Sequence, residues 1–207
     1  METVLVAPPK KTRIQIQNQE MILDAALDIF SGQGFRGTTV DQIAAHCGMS
    51  KPNLLYYFRR KEDIYVALME RTLDAWLKPL RTLDPDGDPI SELTRYISAK
   101  LEMSLANPKA SQLFANEILH GAPQIGDFLK GPLKELVDRK ASVINGWIAA
   151  EKLNPVDAHH FIFAIWAVTQ HYADFGVQVE AIRGKRPSFA STKTAVLEIL
   201  LRGLKRD

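Results

Sequence analysis

Apolar side chains recur along most of the chain at the three- and four-residue spacing that places them on one face of a helix. In the first such segment, which begins at Gln17, the positions are Met21, Ile22, Ala25, Ala26, Ile29 and Phe30. The same spacing predicts helices over 61–83, 91–106, 109–119, a segment that runs to about residue 150, 155–178 and 189–206. No segment alternates apolar and polar residues as a half-buried strand does. The pattern therefore predicts an all-α protein.

Two short helical segments meet at a turn between residues 38 and 63. Thr39 can cap the first segment, which Gly48 ends, and Ser50 can cap the second, predicted over 50–58. This order of helix, glycine turn and helix is typical of a helix-turn-helix. Because helical proteins that bind no DNA also contain such turns, the side chains of the second helix decide the interpretation.

The second helix carries polar side chains that can donate hydrogen bonds to phosphates or base edges, namely Lys51, Asn53, Tyr56 and Tyr57. Asn53 is the best candidate for a base edge, because a carboxamide can pair with one. The net charge of the chain is only +2. The prediction of DNA binding therefore depends on where these groups lie and not on a bulk positive charge.

Composition divides the chain into three parts. Residues 1–16 contain two prolines and a basic group without apolar periodicity, which predicts a flexible basic arm. Residues 17–62 are predicted to form a three-helix DNA-binding domain, and residues 63–207 a larger helical domain. No apolar run approaches the roughly 18 residues that span a bilayer, and the first residues lack the order of a secretory signal. We therefore expect a cytoplasmic protein without a membrane contact.

The titratable residues give little support to an enzyme. Glu117 and His120 form one Glu-x-x-His step, whereas a di-iron bundle needs two such steps and two further carboxylates. Adjacent His159 and His160 point in different directions on a helix, which argues against a shared metal. We expect no catalytic residue, no metal and no cofactor.

Four segments together resemble the amino-terminal domain of the TetR (tetracycline repressor) family of transcriptional regulators. They are AALDIF (25–30), GQGFRGTTV (32–40), DQIAAHCGMSKPNLLYYF (41–58) and RRKED (59–63). The resemblance implies DNA contacts from Thr39, Lys51, Pro52, Asn53, Tyr56, Tyr57 and Lys61. The sequence departs from the family at Leu55, where many members carry a tyrosine that contacts phosphate, and Tyr56 can take over that contact.

Specific DNA recognition by so small a unit calls for two copies on a two-fold-symmetric operator, and hence for a homodimer. The last two long helices are apolar on more than one face. Such helices either fill a core or also pair with a second chain. The family resemblance favours a dimer seam.

The larger domain contains a group of aromatic and polar residues that could bind a small molecule. Trp166 and Gln170 are four residues apart and share a helix face, and Trp76 lies on the helix predicted over 61–83. An indole can cover a flat ring, while a primary amide can pair with the lactam edge of a pyrimidine. The same residues could equally be ordinary core, with Gln170 bonded to backbone.

A narrower resemblance bears on this choice. The segments LLYYF, DAWLKPL and IWAVTQHYADFGVQVEA resemble the pyrimidine-utilisation regulators of the same family. This implies uracil or thymine as the effector and Trp76, Trp166 and Gln170 as pocket residues, with Phe114 and Glu117 beside them. The alternative is a hydrophobic effector, as in family members that regulate efflux or lipid metabolism. Gln170, Asn116 and Glu117 in the pocket would favour the pyrimidine, and Phe114, Phe161 and Phe163 the hydrophobic ligand.

Overall fold

The computed structural model describes residues 12–205, which form helices and connecting turns without a β-strand. The α-helices are α1 (Arg13–Gly37), α2 (Val40–His46), α3 (Lys51–Tyr57), α4 (Lys61–Arg81), α5 (Pro89–Ala106), α6 (Pro108–Leu119), α7 (Gly126–Phe128), α8 (Lys134–Ala149), α9 (Ala158–Asp174), α10 (Gly176–Arg183) and α11 (Phe189–Leu201). A π-helical turn (Leu129–Leu133) precedes α8, and a 3₁₀ turn (Arg202–Leu204) follows α11. The all-α prediction is confirmed.

The chain divides into two compact units, one that ends at Leu68 and one that begins at Met69. The predicted boundary after residue 62 lies earlier, although both positions fall within α4. Apolar spacing alone places no boundary inside a continuous helix, because the stripe of buried residues runs on without interruption.

In the smaller unit, α1 and α3 pack against α2 and against each other. The side chains at the centre are at most 1% exposed and belong to Ile22, Ala26, Phe30, Ile43 and Leu54. The ring of Phe30 also makes an edge contact with Tyr65, with 5.1 Å between the ring centroids. This core fixes the angle between the two helices of the turn motif.

Helix α1 begins at Arg13, earlier than the predicted start at Gln17. Thr12 and Gln15 form a capping box in which each side chain binds the backbone N–H of the other. Polar residues therefore start this helix before its apolar pattern begins, and the prediction of a flexible arm is wrong for residues 13–16. The rest of that predicted arm, residues 1–11, lies outside the described residues.

In the larger unit, α5 occupies the centre and packs against α6, α9 and α11. Its apolar side chains Leu93, Ile97 and Leu101 are completely buried. The helix predicted over 155–178 is instead two helices, because Phe175 leaves helical geometry (φ −112°, ψ 28°) between α9 and α10. Gly176 follows at once, and glycine is a poor helix former.

Within the described residues, no helix is long and apolar enough to cross a membrane.

Candidate DNA interface and effector site

Helix α3 presents its polar side chains to solvent because its apolar ones are anchored below. The Ser50 hydroxyl accepts a hydrogen bond from the backbone N–H of Asn53 at 3.4 Å, which starts the helix. Leu54 is completely buried, whereas Tyr56 is 70% exposed. Lys51, Pro52 and Asn53 are exposed as well. Four of the residues predicted to contact DNA are thus accessible to solvent on this helix.

The two tyrosines of α3 are held by polar side chains from the first turns of α1. Asn18 donates to the Tyr57 hydroxyl oxygen at 2.7 Å. Gln15 donates to the Tyr56 hydroxyl oxygen at 3.3 Å. Since both hydroxyls act as acceptors here, each keeps its own proton for donation to a phosphate oxygen.

The two lysines predicted to contact phosphate differ in their surroundings. Lys51 Nζ forms a solvent-exposed ion pair with Asp41 at 2.8 Å, a contact worth about 0–1 kcal/mol that a phosphate can replace. Lys61 Nζ donates to the backbone carbonyls of Phe35 and Thr38, both at 2.8 Å. Two of its three N–H groups therefore tie α4 to the last turn of α1 and to the loop before α2, and one remains.

Thr39 caps α2 in a second capping box. Its hydroxyl accepts from the backbone N–H of Gln42 at 3.3 Å, and the Gln42 side chain accepts from the backbone N–H of Thr39 at 2.8 Å. The structure thus confirms the predicted cap, and the threonine stays exposed beside the turn.

In the larger unit, α5 connects the two tryptophans that the sequence singled out. Tyr96 and Lys100 are one helical turn apart on α5. The Trp166 indole N–H donates to the Tyr96 hydroxyl at 2.7 Å. The Lys100 ammonium lies 4.2 Å from the ring centroid of Trp76. Both tryptophans are therefore fixed by polar groups of the same buried helix.

The Trp76 ring has an aromatic neighbour as well as this cation. Phe114 of α6 meets it edge to face, with 5.6 Å between the centroids and 78° between the planes. Two of the predicted pocket residues are thus in direct contact, with Lys100 against the same indole.

Charged groups are buried at this place. Lys100 is 4% exposed, and burial lowers the pKa of its ammonium to about 7, with Asp174 opposing that shift. Asp174 of α9 accepts a hydrogen bond from the Ser111 hydroxyl. Burial raises the pKa of Asp174, while Ser111, Lys100 and His171 act in the opposite direction. A buried lysine and a half-buried aspartate, each with its pKa shifted toward the neutral form, thus lie among residues of α4, α5, α6 and α9.

Glu117 and His120 do not act together. The Glu117 carboxylate accepts from the backbone N–H of Gln124 at 2.7 Å, and a His120 ring nitrogen lies 2.7 Å from the backbone carbonyl of Asn116. In the part of the chain that the structure describes, no three histidine, cysteine, aspartate or glutamate residues are grouped so as to hold a metal ion.

Family models cover both units of this chain. Residues 22–68 match the model of bacterial regulatory proteins of the tetR family, and residues 69–207 match that of the YcdC-like protein C-terminal region. The chain belongs to the TetR family. The resemblance read from the turn motif is thereby confirmed, and this protein is a transcriptional regulator with a DNA-binding domain.

Within the TetR family, the chain is 46% identical to the HTH-type transcriptional regulator RutR of Escherichia coli over 200 residues. The match covers 95% of this chain and 94% of RutR. RutR of Shigella flexneri matches with the same identity and coverage. The homologues are transcriptional regulators and not enzymes.

Solved structures show the same TetR-family fold. The fatty acid degradation regulator FadR from Bacillus halodurans superposes with a TM-score of 0.70 at 18% identity, covering 93% of this chain and 97% of its own. A TetR-like transcriptional regulator from Rhodococcus sp. has a TM-score of 0.67 at 21% identity, covering 94% and 98%. At these identities the comparison supports the fold alone.

The structure brings some predicted effector residues of this TetR-family regulator together and separates others. Trp76 and Phe114 touch, while Trp166 contacts Tyr96, and no contact between the two indoles is recorded in the described residues. Gln170 is half-buried on α9, between Trp166 and Asp174 in the same row of the helix. Glu117 is 6% exposed, and its carboxylate accepts a hydrogen bond from the backbone N–H of Gln124. Three clefts of about 410–510 Å³ in the larger unit are lined by none of these residues.

Sequence reasoning missed Lys100 and Asp174. Lys100 occupies an inward position of the α5 apolar stripe, between Ile97 and Leu101, where a lysine is unexpected. Asp174 continues the four-residue row that begins at Trp166. A charged residue within an apolar stripe was therefore the available signal.

Proposed function

We propose that this TetR-family regulator is a cytoplasmic homodimer that binds a two-fold-symmetric DNA operator and releases it when a planar pyrimidine, such as uracil or thymine, binds the larger unit. The observation that carries the effector assignment is the arrangement of two indoles around one turn of α5, each contacted by a polar group of that turn. Flat faces combined with buried polar groups suit a polar heterocycle.

On the DNA side, the family resemblance gives the contact positions, and side-chain chemistry gives the role of each. Asn53 reads a base edge, and Pro52 packs against the bases beside it. The phosphate contacts are made by Thr39, Lys51, Tyr56, Tyr57 and Lys61. Tyr56 takes the place of the tyrosine that Leu55 lacks, and its 70% exposure leaves it accessible.

On the effector side, the indoles of Trp76 and Trp166 cover the ring and Gln170 pairs with a lactam edge. Phe114 supports Trp76 through its edge contact, and Glu117 borders the site. Phe114 lies against Trp76 and Phe161 is buried, as a hydrophobic effector would require, but Phe163 is 50% exposed. We favour the polar effector because a purely apolar ligand would leave the buried Lys100 nitrogen without an acceptor.

The dimer is proposed to form through α9 and α11. Their inner faces are filled by Ile162, Ile165 and Val196, which are completely buried. Each helix also keeps an exposed apolar residue, Phe163 at 50% and Ile199 at 68%. A second copy of the chain would remove such surfaces from water.

Coupling between effector and DNA is proposed to run through α4. Trp76 lies on this helix, which begins at Lys61 within the DNA-binding unit. An effector held by Trp76 therefore acts on a continuous helix that belongs to both units. A coupling of about 1–3 kcal/mol would weaken operator binding roughly 5- to 150-fold.

The effector class can be tested by thermal unfolding of the full-length protein in the presence of single compounds. We expect uracil or thymine at millimolar concentration to raise the melting temperature, because a ligand that binds the folded state stabilises it. Trp166→Ala and Gln170→Ala should lose this shift and still bind operator DNA. A shift with fatty acids or other amphipathic compounds, and none with pyrimidines, would overturn the proposal.

A further inference from the structure

Lys100 is the one charged side chain of the larger unit's core whose polar atom has no hydrogen bond within residues 12–205. Its ammonium is covered by the Trp76 ring at 4.2 Å, and the residue is 4% exposed. A cation over an aromatic face is attracted to it, yet its N–H groups still need acceptors. A buried ammonium left in this state is costly. The site therefore lacks an acceptor that something else can supply.

Asp174 supplies the opposite half of a polar pair. Its Oδ1 atom accepts from the Ser111 hydroxyl, which leaves Oδ2 as the oxygen that can accept from a ligand. Lys100 and Asp174 interact electrostatically. Within the described residues, however, the Lys100 Nζ atom has no hydrogen-bond partner. A buried donor and a half-buried acceptor thus influence each other electrostatically without a hydrogen bond between them.

We infer that Lys100 and Asp174 together read one amide edge of the effector, with Lys100 donating to its carbonyl oxygen and Asp174 accepting from its ring N–H. This inference rests on the proposed function and adds two specificity-determining residues to it. Gln170, one turn from Asp174 on α9, would serve another edge of the same ring.

Lys100 and Asp174 together would determine which class of ligand binds. An apolar ligand leaves Lys100 unsatisfied, and a ring without an N–H leaves Asp174 without a donor. A planar ring that carries C=O beside N–H satisfies both groups at once. Sites built to bind both a donor and an acceptor reject analogues that lack one of them.

Isothermal titration calorimetry of the full-length protein with uracil tests this directly. We expect Lys100→Met, which keeps the length of the side chain but has no N–H, to weaken uracil binding about 10- to 100-fold, the loss typical of a charged hydrogen bond. Asp174→Leu, which has no acceptor, should lose at least about 10-fold for the same reason. For wild-type protein, 1,3-dimethyluracil, which has both carbonyls and no N–H, should bind much more weakly than uracil.

A matched control lies on the same helix. Ser98 of α5 also has a buried oxygen without a hydrogen bond, and Ser98→Ala should leave uracil affinity unchanged. The melting temperature of unliganded Lys100→Met should rise, since an unpaired buried ammonium is removed. If Lys100→Met binds uracil more weakly and yet melts at a higher temperature, the loss of affinity cannot come from a destabilised fold. Lys100 then contacts the ligand.

The outcomes distinguish the two proposals. If wild-type protein binds uracil and Lys100→Met binds it equally well, the present inference fails while the proposed effector class stands. If wild-type protein binds no pyrimidine, both fail.

Discussion

Tyr56 in the DNA-binding unit is 70% exposed, whereas Lys100 in the larger unit is 4% exposed. Around Tyr56, polar side chains contact one another at the surface, where a partner as large as a DNA duplex can reach them. The Lys100 nitrogen is instead covered by the Trp76 ring, where so large a partner cannot reach it. The two units thus place polar side chains in opposite surroundings, and an unpaired buried one reduces stability.

The largest effect is expected from Leu54→Ala, which tests whether the two units are stabilised independently. Leu54 is completely buried in the small core under α3, and truncation of such a residue costs about 2–5 kcal/mol. All three tryptophans, Trp76, Trp147 and Trp166, belong to the larger unit. Far-UV circular dichroism should therefore lose helix at a lower temperature while the tryptophan fluorescence transition stays in place.

Leu101→Ala in α5 is the matched control, because this leucine is also completely buried. It should move the fluorescence transition. A common shift of both signals in the Leu54→Ala protein would show that the units unfold as one.

The next largest effect is a pH dependence of the free energy of unfolding that arises from the buried Lys100. The pKa of Lys100 is lowered from 10.5 to about 7 in the folded protein. Between these values the unfolded chain holds a proton that the folded protein has released, so stability should rise with pH across this window. Below about pH 7 both states are protonated and the dependence should end. The total change is on the order of a few kcal/mol.

Lys100→Met isolates this contribution, since the other titratable groups are shared by both proteins. We expect the free energy of unfolding of the wild type, relative to Lys100→Met, to increase from about pH 7 to pH 9.5 in urea titrations. A difference that stays constant over this range would mean that burial does not lower the pKa of Lys100.

The contrast between the units also explains what could be read from the sequence. The proposed DNA-binding surface is local, because Thr39, Ser50 and the residues of α3 lie within one short stretch whose caps and apolar spacing can be recognised in the sequence. The proposed effector site draws on α4, α5, α6 and α9, which are distant along the chain. Trp76, Trp166 and Gln170 came from spacing and family resemblance, and neither indicated that Tyr96 and Lys100 hold the two indoles.

The helix boundaries show the same limit. The predicted start at Gln17 followed the apolar pattern, but the polar capping box at Thr12 begins α1 earlier. The predicted helix over 155–178 continued an apolar run through Phe175, where the backbone turns. Apolar periodicity indicates which face is buried, and caps or chain turns decide where a helix ends.

A smaller effect is expected when the exposed surface of α3 is altered. Asn53→Ala should weaken binding to the specific operator by about 1–3 kcal/mol and leave binding to unrelated duplexes unchanged, because it removes a base contact. Lys51→Ala should weaken both equally and reduce the salt dependence. Fluorescence anisotropy at two fixed salt concentrations, with an operator selected from random duplexes, measures this difference. Equal losses on both DNAs for Asn53→Ala would argue against base reading.

The smallest effect is expected from Asn18→Ala, which removes the hydrogen bond that holds Tyr57. We expect a loss of about 0.5–1.5 kcal/mol in DNA binding, since the tyrosine loses one neutral hydrogen bond and its fixed orientation. In a Tyr57→Phe background the same change should have little further effect. Additive losses in the double variant would mean that Asn18 acts independently of Tyr57.

The central claim is that a pyrimidine bound among the aromatic residues of the larger unit weakens DNA binding by the smaller one. Titration of uracil into a complex of the full-length protein with fluorescent operator DNA measures it directly. We predict a roughly 5- to 150-fold loss of operator affinity at saturating uracil, and no loss for Trp76→Ala, which should still bind the DNA. Unchanged operator affinity of the wild type at a uracil concentration shown by calorimetry to saturate it would contradict the account.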